Sequence, residues 1–262
     1  MRASVKTASG CDPSVILSAE GLTKEFKGFV AVHEVDLAIR EGSIHALIGP
    51  NGAGKTTCFN LLTKFLTPTR GRILFRGRDI TNDKPADIAR QGLVRSFQIS
   101  AVFGHLSVLE NVRIALQRPR GLATQFWLSD KRLRVLDERA MELVGAVGLG
   151  PYVDTPAIAL SYGRKRALEL ATTLAIDPDM MLLDEPMAGM AHEDISPIAD
   201  LIKTAAKGRT IVMVEHNLHV VENLCDTVTV LQRGKVLAEG TYAEVSANPQ
   251  VREAYMGAEE DA

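Results

Sequence analysis

Apolar and polar positions along the chain change period several times, and each change marks an element. Between Val15 and Glu41 the pattern alternates, with Val35, Leu37 and Ile39 facing one way and Asp36 and Ala38 the other, which predicts strands. Arg40-Glu41-Gly42 turns the chain into an unbroken apolar run, Ile44-His45-Ala46-Leu47-Ile48, which leads through a glycine-rich loop into a helix-like run, Thr57 to Leu62. Thr67-Pro68-Thr69-Arg70-Gly71 breaks that helix. Arg72 to Phe75 reads as a short strand, Lys84 to Gln91 as a short helix and Val94 to Gln98 as a further strand. From about Ser100 to Pro156 the pattern is helical and basic. It carries Arg113, Arg118, Arg120, Lys131, Arg132, Arg134 and Arg139, mostly solvated faces, with Phe126 and the only tryptophan, Trp127. Ala167, Leu170, Ala171 and Leu174 share one face of a helix that Asp177-Pro178 ends. Met180 to Leu183 and Arg209 to Val214 are buried strands, and Thr227 to Glu239 is a hairpin turning at Arg233-Gly234. Thr241-Tyr242-Ala243-Glu244 is a capping box that opens another helix. Buried strands interleaved with helices make the chain α/β.

Composition narrows this picture. A chain of 262 residues, 46% hydrophobic and 24% charged, has enough apolar surface for a substantial core. The net charge of −2 gives no global pull toward nucleic acid or an anionic membrane. No apolar run is long enough to span a bilayer. Met1 to Pro13 lacks the apolar core of a secretion signal and reads as a flexible tail, and Glu259-Glu260-Asp261 as an acidic one. Cys11, Cys58 and Cys225 are far apart and odd in number, which suits a reducing cytosol and no metal pattern. His216 and His219 share a helix face, but no further ligand stands near them in sequence.

Candidate chemistry concentrates at the ends of the buried strands. Gly49-Pro50-Asn51-Gly52-Ala53-Gly54-Lys55-Thr56 has the spacing of a phosphate-binding loop between strand and helix. Glycines there let successive N–H groups turn inward on one anion, and the helix start adds its own N–H groups and positive dipole end. Lys55 brings an ammonium to the β- and γ-phosphates and Thr56 a hydroxyl to Mg²⁺. Asp184 and Glu185 end a buried strand, as the second half of a Mg-nucleotide site requires: Asp184 for the Mg²⁺ shell, Glu185 to polarise the attacking water. Arg164-Lys165-Arg166 puts positive charge at a helix N-terminus, against the dipole, so an anion-facing role is expected there, with Ser161 and the N–H of Gly163. His216 follows the buried strand ending at Val214, at the same sheet edge.

Taken together in this order, the motifs resemble the ATPase subunit of an ABC transporter over nearly the whole chain. The resemblance implies a RecA-like core and an antiparallel β subdomain, over residues 15–99 and 157–257, and a helical subdomain over about 100–156. Residues 1–14 and 258–262 remain as tails. It implies that Phe26 stacks on adenine and that Gly49, Pro50, Asn51, Gly52, Ala53, Gly54, Lys55, Thr56 and Thr57 hold the phosphates of ATP. It implies that Thr56, Gln98 and Asp184 serve Mg²⁺, with Gln98 also sensing the γ-phosphate. Glu185 would be the catalytic base and His216 the switch histidine. Ser161 and Gly163 would reach the ATP of a second ATPase subunit, identical or not, bound head-to-tail.

Further implied partners are membrane permeases and, indirectly, an external substrate-binding protein, with no nucleic acid. The implied location is the cytoplasmic face of the cell membrane. Phe97-Gln98, Tyr162 within the signature and the ending Ala254-Tyr255-Met256-Gly257 are similar to branched-chain amino-acid importer ATPases. An exporter ATPase of the lipopolysaccharide type and a soluble assembly ATPase are the alternatives. Two departures stand out. The usual Leu-Ser-Gly-Gly-Gln is here Leu160-Ser161-Tyr162-Gly163-Arg164, and Ala191 occupies the place of the usual Asp or Asn after Pro186. Val102, Phe103 and Leu106 form an apolar stretch after Gln98, expected to dock a permease helix.

Overall fold

The computed structural model describes residues 14–96, 102–117 and 136–256. Gln98, Phe97, Phe126, Trp127, the basic residues Arg118, Arg120, Lys131, Arg132 and Arg134, and both expected tails apart from Ser14 lie outside the described residues.

Two sheets enclose one helix. The first is antiparallel, in the order β2-β1-β4-β5, from β1 (Val15–Phe26), β2 (Phe29–Arg40), β4 (Arg70–Phe75) and β5 (Arg78–Asp79). The second has the order β10-β9-β3-β8-β7-β6. Its members are β3 (Ile44–Ile48), β6 (Leu93–Ser96), β7 (Met180–Asp184), β8 (Thr210–Val214), β9 (Thr227–Gln232) and β10 (Lys235–Gly240). Strands β6, β7, β8, β3 and β9 run parallel, and β10 closes the edge as the antiparallel arm of the expected hairpin.

The apolar runs follow from the sheet being covered on both sides. Ile44, Ala46 and Ile48 face one core cluster and Leu47 the other; Met181 and Leu183 face the first, Met180 and Leu182 the second. Helix α1 (Lys55–Leu62) lies between the sheets, where Cys58, Phe59, Leu61 and Leu62 are fully buried. Burial in that apolar layer pushes the Cys58 thiol up to about 12. The opposite face carries α3 (Val108–Gln117), α4 (Asp137–Ala146), α5 (Tyr162–Leu174) and α6 (His192–Ala205). An ion pair, Arg113 Nε to Asp137 Oδ1 at 2.9 Å, joins α3 to α4. Helix α2 (Pro85–Arg90) precedes β6; α7 (Leu218–Leu224), α8 (Tyr242–Ala247) and α9 (Pro249–Met256) complete the chain. The capping box forms: Thr241 Oγ1 accepts from the Glu244 N–H, and Glu244 Oε2 accepts from the Thr241 N–H at 2.8 Å.

A buried polar chain crosses β3, β9 and β10. Thr229 Oγ1 donates to Glu239 Oε2 at 2.7 Å and so must accept from His45 Nε2 at 2.8 Å, which fixes that proton on Nε2. Burial lowers the His45 pKa from 6.5 to about 4. The unfolded chain therefore takes up a proton near 6.5 that the folded one refuses, so stability is lost as pH falls through that window to about 4. A shift of this size is worth roughly 3 kcal/mol at full extent. His45→Gln should flatten the melting-temperature profile between pH 6.5 and 4, and an unchanged slope would assign the acid sensitivity to other groups.

Candidate active site

The carboxyl ends of β3, β7 and β8 lie side by side, where open α/β sheets gather ligands. Past β3 the chain enters the phosphate loop. Gly49 has φ +148°, and a Cβ there would stand 2.1 Å from the carbonyl oxygen of Leu231. At Gly54, φ +95°, a Cβ would stand 2.5 Å from Ala31 O. Neither position accepts a side chain. The turn of the β9–β10 hairpin braces the loop, with Gly234 N–H donating to Ala53 O at 2.9 Å and His33 N–H to Gly234 O at 2.8 Å. Helix α1 starts at Lys55 with no side-chain cap and no acid in its first turn, which leaves its first N–H groups to an anion.

Lys55 is buried, and its ammonium donates to the loop carbonyls of Gly49 and Pro50 at 2.7 and 2.9 Å. Burial pulls its pKa down, and the negative field of Glu185 pushes the other way. A cleft of ≈ 340 Å³ opens over the loop, lined by Asn51 to Thr57, Phe29, Ala31, Glu185 and His216.

Glu185 sits one residue past β7 at φ +47°, a left-handed conformation that costs a side-chain-bearing residue about 1–2 kcal/mol. Its N–H donates to Val214 O at 3.0 Å, and its Oε1 lies 2.6 Å from His216 Nε2. Sequence reasoning passed over Glu215. It is buried, with Oε1 accepting from Met187 N–H at 3.0 Å and Oε2 from His216 and Asn217 N–H at 3.0 and 3.2 Å. Burial raises its pKa, and those three N–H groups oppose the rise. Glu215 thus aims His216 and anchors the chain after Pro186.

Arg95 was missed as well. Its Nη2 donates to Asp184 Oδ2 at 2.6 Å, its Nη1 to Asn60 Oδ1 at 2.7 Å, and its guanidinium lies over Phe59 and Phe65, 5.0 and 4.7 Å from the ring centres. Asp184 is therefore an oriented carboxylate at the strand end. Burial pushes the hydroxyl of Tyr255 in α9 up to about 12, and the nearby Gly49 N–H opposes the rise.

Phe26 pairs across the hairpin with Phe29 and carries Lys24 Nζ 5.2 Å from its ring centre; Phe29 lines the cleft over the loop. The basic triplet does not present itself to an anion as expected. Arg166 binds Glu169 Oε2 at 2.8 Å, and Arg164 lies over Tyr152, 4.1 Å from its ring centre. His219 meets Asn223 within its own helix, and no group of three metal-ligating side chains occurs among the described residues. Ser161 and Gly163 do open α5, but they lie apart from the cleft of their own chain.

A glycine cradle too tight for a side chain, an uncapped helix start, a buried lysine and a carboxylate–histidine pair at one sheet edge define a phosphate-loop nucleotide hydrolase. The family model described as ABC transporter matches residues 32–188, and the chain belongs to the ABC transporter family as an ATP-hydrolysing subunit. A second model, described as Branched-chain amino acid ATP-binding cassette transporter, matches residues 235–261. The chain is 37% identical over 249 residues to the high-affinity branched-chain amino acid transport ATP-binding protein LivG of Salmonella typhimurium, covering 92% of this chain and 98% of that one. Among solved structures, the ADP conformation of an ATP-binding cassette of an ABC transporter superposes with TM-score 0.79 at 31% identity, covering 93% of this chain and 99% of the other. A dimeric post-hydrolysis state of another cassette, bound to ADP and Pi, gives TM-score 0.71 at 26% identity over 86% and 98%.

Proposed function

We propose that this chain powers an importer of branched-chain or chemically similar amino acids, working at the cytoplasmic face of the membrane as one of two ATPase subunits. The observation that carries the cargo class is the match of residues 235–261 to the branched-chain cassette model. No helix among the described residues is long and apolar enough to cross a membrane, so the reading assigns the path to permease subunits.

The N–H groups of Gly52 to Thr57 and the Lys55 ammonium hold the triphosphate, and Phe29 and Ala31 line the cleft beside it. The donor set fits Mg²⁺: Thr56 is exposed at the helix start and the Asp184 carboxylate is oriented by Arg95; Gln98 would add a third oxygen. Mg²⁺, when bound, neutralises charge on the β- and γ-phosphate oxygens. Glu185 Oε1 takes the proton of the attacking water, and His216 fixes that carboxylate in place. Ser161 and Gly163, which do not line their own chain's cleft, face the nucleotide of a head-to-tail partner; that a similar cassette is dimeric supports a two-subunit arrangement.

The permease contact falls on the loop that begins at Val102. Buried Asn111 shapes it, with Oδ1 accepting from Phe103 N–H at 2.7 Å and Nδ2 donating to the carbonyls of Phe103, Leu106 and Ser107. This leaves Phe103 55% exposed and Ile158 61% exposed on strands of loop joined by the Ile158 N–H to Gly104 O bond, an exposed apolar pair among the described residues. Loss of an aromatic anchor typically costs 2 kcal/mol or more of binding, roughly thirtyfold. Phe103→Ala should bind ATP normally yet co-purify poorly with the permease from detergent-solubilised membranes. Normal co-purification with undiminished transport would remove the docking site.

A further inference from the structure

Tyr162 puts a side chain where the usual signature has none, and that side chain is fully engaged. Its Oη donates to the carbonyl of Ala188 at 2.9 Å and accepts from Arg166 Nη2 at 2.7 Å. Arg166 is fixed in turn by Glu169 Oε2 at 2.8 Å and lies against the ring, 5.1 Å from its centre. A guanidinium on the phenol oxygen polarises the O–H and strengthens the bond it donates. The ring also packs on Gly189, where a Cβ would stand 3.6 Å from Tyr162 Oη.

The loop that receives this bond has its own anchors in buried Met187 and in Met190 N–H donating to Met187 O at 3.3 Å, and the Tyr162 bond adds one from another element. Ala188 N–H donates to Glu185 O at 3.0 Å, and Glu215 holds Met187. At the far end Ala191 is the N-cap of α6 and supplies no side-chain cap. A short line of bonds therefore runs from Glu185 through Ala188 to Tyr162, the residue next to Ser161. The neighbouring turn is also tight, since a Cβ on Gly163 would stand 3.0 Å from Asp194 Cγ.

We propose that Tyr162 is a positioning residue whose hydroxyl fastens the loop after Pro186 to the start of the signature helix. Glu185 of one active site and the Ser161–Gly163 surface offered to the other then shift as one body. The bond takes over a task that Ala191, lacking a carboxylate or amide, does not perform. The coupling part rests on the two-subunit reading above; the tether does not.

Tyr162→Phe in the full-length chain removes one hydroxyl and keeps the ring. Without nucleotide, amide hydrogen exchange in the peptide spanning residues 187–191 should rise about tenfold, as loss of one charge-assisted hydrogen bond predicts, with α1 unchanged as the folding control. Unchanged exchange in 187–191 overturns the tether. In steady-state hydrolysis the Hill coefficient for ATP should fall toward one. Tyr162→Phe/Ala191→Asp, which caps α6 and pins the far end of the loop, should recover part of it. Faster exchange with an unaltered Hill coefficient overturns the coupling role. A native protein that shows neither an ATP-dependent dimer nor a Hill coefficient above one overturns the two-subunit reading instead, and the exchange result still decides the tether.

Discussion

Glu185→Gln is expected to keep ATP bound while hydrolysis falls about a thousandfold, within the range that one general base contributes. The exchange is isosteric. The carboxamide oxygen still accepts from His216 Nε2–H, and Gln meets the same backbone demand at φ +47° as Glu does. What disappears is the group that takes the proton from water. The negative field that Lys55 feels from Glu185 disappears too, so its ammonium is balanced by the triphosphate alone. Nucleotide should accumulate in an undissociated dimer, visible as an ATP-dependent shift in size-exclusion elution with no phosphate release. Hydrolysis at the wild-type rate would show that another group is the base.

Gly49→Ala should abolish nucleotide binding, whereas Gly52→Ala should only weaken the fold. A Cβ at Gly49 would stand 2.1 Å from Leu231 O and 3.1 Å from Ala53 Cβ, so either the loop or β9 must move. Overpacking against backbone and a left-handed alanine together cost roughly 2–5 kcal/mol. At Gly52 a Cβ meets nothing within 4 Å and φ is +73°, so only the backbone cost applies. For a chain of this size that is a drop of about 2–4 °C in melting temperature per kcal/mol. Titration with a fluorescent ATP analogue, alongside melting curves, separates the two variants. If Gly49→Ala bound the analogue as Gly52→Ala does, the packing account of the cradle would be wrong.

The elements that were legible in the sequence share one property: their signal is local. Ile44–Ile48, Met180–Asp184 and Thr210–Val214 are apolar runs bounded by turn residues, and the chemistry follows each run directly at Gly49, Glu185 and His216. The parallel sheet then brings those ends together. Residues whose work depends on distant neighbours were not legible. Arg95 is one polar position in a short strand, and only the pairing of β6 with β7 sets it beside Asp184. Glu215 reads as a spacer until its three backbone partners are seen. Phe26 and Phe29 flank one hairpin turn, and which of them looks over the phosphate loop is a matter of register, not of composition. The basic triplet misled for a related reason: the dipole argument assumed open solvent around it, and Glu169 and Tyr152 occupy that space.

The placement of β3 also bears on how the chain is born. Its two neighbours in the sheet, β8 and β9, lie far downstream, and the oxygen that shapes Gly49 belongs to Leu231. At ribosomal rates of roughly 5–20 residues per second, the roughly 180 residues from the loop to its last brace take about 10–40 s to emerge. Until then the loop has no bed, and the nascent polypeptide exposes an apolar strand with both edges unpaired. Nucleotide can be captured only after Leu231 has emerged, so the loop is made long before the bed that completes it.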